Sequence, residues 1–393
     1  MTTRAIVGRG RLLTMAGAHT GATSCIAGPW VIVIEDGRVR EVRKGRLAAG
    51  DPELVQDVGT ALVTPGLVDS HTHLVFAGDR CDEVAARTRG GDYTGGGILR
   101  TVAATTAASD EELVRATRRR MLAARGYGTT TIEVKSGYGL TASEEQRLLR
   151  CIADAAEGLP LRVRRTYLGA HAVPAGSSPA EQTEAVVAAL PAVAEHADHV
   201  DVFCEPGLFD LASTRRIALA GSAQGLPLKL HADQLERSGA ALLGAELGAL
   251  SVDHLEQMTE ADAAALASTA TVATILPGPA LMLRAGTPPV RALVQSGATV
   301  AIASDANAGT FGEPSMTLAV GLAVALGLSV DEALWAATAG GAAALGLDGQ
   351  LGRLTPGAAA DVVAWDAEHE GAFAHRLGGV RPRWTWFEGE DDD

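Results

Sequence analysis

The sequence predicts an α/β protein, a (β/α)8 TIM-type barrel with a small β-sandwich domain formed by both termini. Three observations predict it. Eight apolar, β-rich runs recur between residues 61 and 351 with helical spacers between them, the pattern of parallel strands joined by crossovers. Residues 1–60 and 352–393 share a different texture, short β-like runs broken by Gly, Pro and Asp turns. Five of the ten histidines stand where those apolar runs end, and the open mouth of such a barrel lies at the strand ends.

The elements follow in order. Ala5-Ile6-Val7, Trp30-Val31-Ile32-Val33-Ile34 and Arg38-Val39-Arg40-Glu41-Val42 read as strands separated by turns such as Glu35-Asp36-Gly37. The barrel strands are expected to end near Val68, Val134, Leu168, Phe203, Leu230, Val252, Ile275 and Ala303, the first being the apolar run from Leu62 to Val68. Ser109-Asp110-Glu111-Glu112 is a capping box opening a helix that stops at Gly126. Ser329-Val330-Asp331-Glu332 opens another helix before the C-terminal β segment, which runs through Asp361-Val362-Val363-Ala364-Trp365 to Arg383-Trp384-Thr385-Trp386-Phe387.

Composition bounds the function. In 393 residues, 47% hydrophobic and 20% charged, a large core is within reach and disorder is not expected. A net charge of −14 argues against a nucleic-acid partner, which would need a basic patch. The run of Glu388, Glu390, Asp391, Asp392 and Asp393 reads as a frayed, solvated tail. Cys25, Cys81, Cys151 and Cys204 form no CxxC pair, which removes zinc-ribbon and redox-motif readings and suits a reduced, cytoplasmic protein. No stretch of about 18 apolar residues offers a membrane span.

The strand ends carry the chemistry. His71-Thr72-His73 follows the first strand, and side chains two apart in an extended segment share a face, so both rings can grip one cation. His171 follows the third strand, His231 the fifth, His254 the sixth and Asp305 the eighth. Imidazoles and a carboxylate gathered at one mouth make a nitrogen and oxygen donor set for zinc or iron. His196 and His199 read as surface or capping residues, and His19 and His375 carry no assigned chemistry. Lys135 is a weaker candidate, as a bridging carbamylated lysine of a two-metal site; the tight loop Ser136-Gly137-Tyr138-Gly139 beside it argues for a structural role.

The order of strand-one HxH, strand-five His, strand-six His and strand-eight Asp resembles the amidohydrolase superfamily. So does the two-ended β domain, with Gly352-Arg353-Leu354-Thr355-Pro356-Gly357 leading to Asp361. His71 to Arg80, Gly95-Gly96-Gly97-Ile98, Glu133 to Leu140, and Asp305-Ala306-Asn307 are similar to one branch of it over essentially the whole chain. The resemblance implies hydrolysis of the ring amide of 4-imidazolone-5-propanoate to N-formimidoyl-L-glutamate, in histidine degradation. It implies one zinc or iron ion per subunit held by His71, His73, His231 and Asp305. Asp305 is expected to double as base, with His254 as a donor to the carbonyl oxygen.

The same resemblance gives Arg80 to the substrate carboxylate, with Tyr138 and His171 as hydrogen-bonding partners. Asn307, Gly309 and Thr310 are expected to contact substrate or product, and Tyr93 to close over the pocket. A homodimer is also implied. Base deaminases of the superfamily carry glutamate three residues after the strand-five histidine. Here that position is Gln234, which orients by hydrogen bonding and cannot accept a proton at neutral pH. The alternatives are a purine or pyrimidine aminohydrolase on the same scaffold, and a barrel that binds without catalysis.

Overall fold

Eight parallel strands follow one another around the centre of the molecule, each hydrogen-bonded to the next in chain order. They are β1 (Leu67–Asp69), β2 (Thr129–Lys135), β3 (Arg162–Ala170) and β4 (His199–Cys204), then β5 (Leu228–Ala232), β6 (Ser251–His254), β7 (Val272–Ile275) and β8 (Val300–Ile302). All eight lie where the apolar runs predicted them. Seven of them are buried along their whole length, as expected of strands covered on one side by helices and filled on the other. The computed structural model describes residues 3–52, 55–90, 97–284 and 286–391.

The ring is nearly closed between β8 and β1. Asp69 accepts hydrogen bonds from the backbone N–H (3.0 Å) and hydroxyl (2.6 Å) of Ser304. Just beyond, Asp305 N donates to the His71 carbonyl at 3.0 Å and His73 N to the Ala306 carbonyl at 2.9 Å. These bonds lash the segment bearing the two histidines to the one bearing the aspartate. Outside the seam the helical backbone of Gly340 and Gly341 presses directly on it. A Cβ on Gly341 would stand 2.7 Å from the Val68 carbonyl, and one on Gly340 would strike that of Val300.

The helix predicted after Ser109 spans Asp110–Arg125, with the capping box formed in both directions and Gly126 at its end. Ser329 likewise caps Val330–Trp335 reciprocally with Glu332. Among the described residues no helix is long and apolar enough to cross a membrane.

The termini form two further sheets. One orders Arg38–Lys44, Trp30–Glu35, Thr3–Gly8 and Val55–Asp57. The other orders Glu390–Asp391, Pro382–Phe387, Val362–Trp365, Val63–Pro65, Arg11–Leu13 and Cys25–Ala27, so both chain ends share it. Ile6, Trp30 and Ile32 of the first sheet and Leu12, Val63, Val362 and Trp386 of the second belong to one buried cluster.

Two expectations are corrected. The run from Leu62 to Val68 is two strands, not one. Val63–Pro65 pairs antiparallel with Val362–Trp365, and only Leu67–Asp69 joins the barrel. Pro65 has no N–H to continue a ladder, and Gly66 turns to donate to the Asp361 carbonyl while its Cα packs on Thr130. The acidic tail is also less free than expected: Glu390–Asp391 pairs with Trp386 and Phe387, and Glu388 forms an ion pair with Arg162 at 2.7 Å. Asp392 and Asp393 lie outside the described residues.

Candidate active site

Past β1 the chain delivers His71 and His73, and β5 and the loop after β8 deliver His231 and Asp305, to one point. His73 Nε2 lies 3.3 Å from His71 Nε2 and 3.4 Å from His231 Nε2. Asp305 Oδ1 is 3.5 Å from His73 Nε2 and 3.7 Å from His71 Nε2. Two of the rings have their tautomer set from behind. His71 Nδ1 donates to Asp253 Oδ2 at 2.6 Å, and His231 Nδ1 donates to Asp201 Oδ1 at 3.1 Å. With Nδ1 protonated, Nε2 of each presents a lone pair to the meeting point.

Charge works the same way. Burial first, then Lys135 for His71 and His171 for His73, hold both imidazoles well below the usual histidine range. Burial also lowers His231, although Asp201 opposes it. Three neutral rings and a carboxylate thus converge with at most one ring, His73, free to supply a proton; its Nδ1 has no hydrogen-bond partner among the described residues. Such a set is short of positive charge, and a divalent cation fits it in number, type and burial of donors.

Behind the carboxylates lies a layer of charges inside the barrel. Lys135 Nζ stands 2.6 Å from Glu133 and 2.7 Å from Asp201. Lys229 Nζ donates to Ser251 Oγ at 2.6 Å and lies 3.5 Å from Asp253. Burial opposes a charged Lys135, yet Asp201, Glu133 and Asp253 raise its pKa, so the amine is a cation enclosed by carboxylates. That sets aside the bridging role for Lys135. Asp305 (φ 49°), His254 (φ 86°) and Leu255 (φ 73°) all hold left-handed backbone, the strain that accumulates where side chains must be aimed.

The pocket above is lined by His73, Arg80, Tyr138, His171, His231, Gln234, His254, Asp305, Asn307 and Thr310, all anticipated from the sequence, and by Ile98 and Phe203, which were not. Gly309 lies against Arg80, and Tyr93 falls outside the described residues. His171 donates from Nδ1 to the Gly137 carbonyl at 2.9 Å and stacks on His73 with 5.1 Å between centroids. Burial and His231 push its pKa down to about 3, so it is a neutral ring with Nε2 available. Asn307 is largely committed to its own loop: Oδ1 accepts from the N–H groups of Gly309 and Thr310, and Nδ2 donates to the Asp305 carbonyl.

Gln234 is held by its backbone N–H on Glu205 Oε1 at 2.8 Å. Burial raises the pKa of Asp305 to about 7, against the pull of His254. His199 is not a surface residue. It starts β4 fully within the sheet, 3.5 Å from Thr166 Oγ1, and burial holds it neutral, at about 3.

The Amidohydrolase family profile matches residues 62–390. An imidazolonepropionase of Salinispora arenicola is 46% identical over 375 residues, covering 94% of this chain and 93% of its own. One from Rubrobacter xylanophilus is 45% identical, covering 94% and 91%. One from Saccharopolyspora erythraea is 42% identical, covering 99% and 98%. Among solved structures, an adenosine deaminase from Xanthomonas campestris with bound zinc superposes with a TM-score of 0.74 at 18% identity, over 99% of this chain and 92% of that one. An atrazine chlorohydrolase of Arthrobacter aurescens TC1 complexed with zinc gives 0.75 at 17%, over 99% and 94%. Those two likenesses establish the shared fold.

Proposed function

The chain belongs to the amidohydrolase family and, within it, to the imidazolonepropionases, and from that premise we propose how its residues open their substrate. It is a hydrolase of a cyclic amide, converting 4-imidazolone-5-propanoate to N-formimidoyl-L-glutamate. The observation that carries the proposed residue roles is the juxtaposition, in one pocket, of the His71, His73, His231 and Asp305 donors with the buried guanidinium of Arg80.

His71, His73, His231 and Asp305 would hold one zinc or iron ion per subunit. A cation bound there would supply Lewis acidity, polarising the ring carbonyl and lowering the pKa of a water. The protein does the rest. Arg80 takes the propanoate carboxylate with its planar fork of N–H donors. Tyr138 and His171 hydrogen-bond the ring and carboxylate, Ile98 and Phe203 give the ring apolar walls, and Gln234 orients it through its amide. Asp305 removes a proton from the attacking water and returns it to the leaving ring nitrogen. His254 donates toward the carbonyl oxygen as charge develops there. Burial alone would lower the His254 pKa, but Glu256, Asp305 and Asp253 raise it, which suits a donor. Asn307, Gly309 and Thr310 shape the loop that carries Asp305 and floors the Arg80 site.

Gln234 speaks against the base-deaminase alternative, whose glutamate at this position moves protons. The proposed setting is the cytoplasm, and the proposed assembly a homodimer. The direct test is to supply freshly made imidazolone propanoate to metal-replete protein and follow ring absorbance in the ultraviolet. Its steady loss is expected, and no turnover would refute the assignment.

A further inference from the structure

One buried carboxylate stands beside the pocket with no function assigned to it. Glu256 leaves about 1% of its side chain exposed, and neither carboxylate oxygen has a hydrogen-bond partner among the described residues. A buried carboxylate without donors is costly, so its retention calls for a reason. The group it approaches is His254: Oε1 lies 3.6 Å from Nδ1, which is itself buried and unpartnered among the described residues. That separation exceeds a formed hydrogen bond, and contacts of catalytic groups often tighten only once substrate is bound.

The backbone explains how the two meet. β6 ends in Asp253-His254, and the next turn holds His254 (φ 86°) and Leu255 (φ 73°) in consecutive left-handed conformations, which side-chain-bearing residues rarely adopt. The turn brings Glu256 back onto the imidazole two residues before it. The segment therefore has three jobs: Asp253 holds His71 from behind, His254 lines the pocket, and Glu256 faces the rear of His254.

We infer that Glu256 is the positioning residue of His254: its carboxylate receives the Nδ1–H, fixing the ring's orientation and aiming a protonated Nε2, the donor, at the substrate oxygen. This rests on the proposed role of His254. It gives His254 the same kind of support that Asp253 gives His71 and Asp201 gives His231. It also accounts for a carboxylate near the reacting centre in a chain whose position 234 cannot accept a proton.

The test compares Glu256→Leu, which removes the acceptor, with Glu256→Gln, which keeps one oxygen to receive the Nδ1–H, in zinc-loaded protein. Glu256→Leu should lower kcat by about 10- to 100-fold, the range typical of losing a carboxylate behind a metal-binding histidine, with KM and bound zinc unchanged. Glu256→Gln should recover most of that loss. Nitrogen-15 NMR of His254 should show a protonated Nδ1 in the native and Gln proteins and its loss in the Leu variant. A Leu variant within twofold of native kcat, or one whose activity falls only with its zinc, would overturn the inference. So would an unprotonated Nδ1 in the native protein, a result that needs neither substrate nor a well-folded variant. The spectrum thus decides on Glu256 even if imidazolone propanoate proves not to be turned over.

Discussion

Replacing Gly309 by alanine should disable the proposed carboxylate site without touching the proposed metal ligands. A Cβ at 309 would fall onto the guanidinium of Arg80, closing on Nη2, Cζ and Nε together. The loop cannot easily yield. Gly309 N and Thr310 N are both bonded to Asn307 Oδ1, at 2.8 and 2.9 Å, and Arg87 donates to the Gly309 carbonyl at 2.8 Å. The flexible Arg80 side chain must move instead. Its other flank is closed by Gly97, whose own Cβ position lies 2.8 Å from Arg80 Cζ, and Glu83 pairs with Nε at 3.1 Å. The guanidinium is therefore displaced from the pocket rather than shifted within it.

Hydrogen bonds to charged groups contribute about 1.5–3 kcal/mol each. Losing a two-pronged contact, with partial replacement by water, should cost about 2–3 kcal/mol of binding, or roughly 30- to 150-fold in kcat/KM at about 1.4 kcal/mol per decade. The loss should appear mainly in KM, because the carboxylate is held equally in ground and transition states. Steady-state kinetics by ring absorbance, with metal content measured alongside, reads this directly. A substrate analogue without the carboxylate should be hydrolysed equally by native and Gly309→Ala proteins. An unchanged KM for imidazolone propanoate would show that Arg80 does not hold the carboxylate.

His231→Ala should lose metal and turnover together, and retention of either alone would contradict its place among the ligands. Lys135→Met leaves Glu133 and Asp201 buried without their shared cation, so unfolding free energy should fall by about 3–5 kcal/mol in a denaturant titration; a negligible change would mean the barrel tolerates those charges unpaired. Gln234→Glu should change kcat by less than about tenfold, well short of the roughly 100- to 10,000-fold that a working general base typically contributes; a larger rise would show that Asp305 alone is a poor proton acceptor.

The strand ends were legible because apolar runs that stop at His or Asp leave a two-part signal, burial followed by chemistry. His71, His73, His231, His254 and Asp305 could each be placed that way. The layer beneath them was not. Glu133, Lys135, Asp201, Lys229 and Asp253 lie inside strands, where a charged residue among apolar ones reads as the solvent side of an alternation. In a closed barrel that alternate side is the interior, and the charges neutralise one another there. A lysine or carboxylate inside each of β2, β4, β5 and β6 was the available clue. His199 was misjudged for a related reason: it was placed at the start of β4, but in a closed barrel even the first residue of that strand is buried. The break at Pro65 was visible in the sequence, but which sheet each half would join depended on distant partners, Thr129–Ile132 for Leu67–Asp69 and Val362–Ala364 for Val63–Pro65.

The central claim is that water opens the ring of imidazolone propanoate at its amide carbon. Turnover of that compound in oxygen-18 water by the metal-replete enzyme, with products identified by mass spectrometry, tests it most directly. The account predicts N-formimidoyl-L-glutamate in step with substrate loss, one oxygen-18 in the new carboxylate, and no ammonia. Ammonia released in step with substrate loss, or a product without the label, would contradict it.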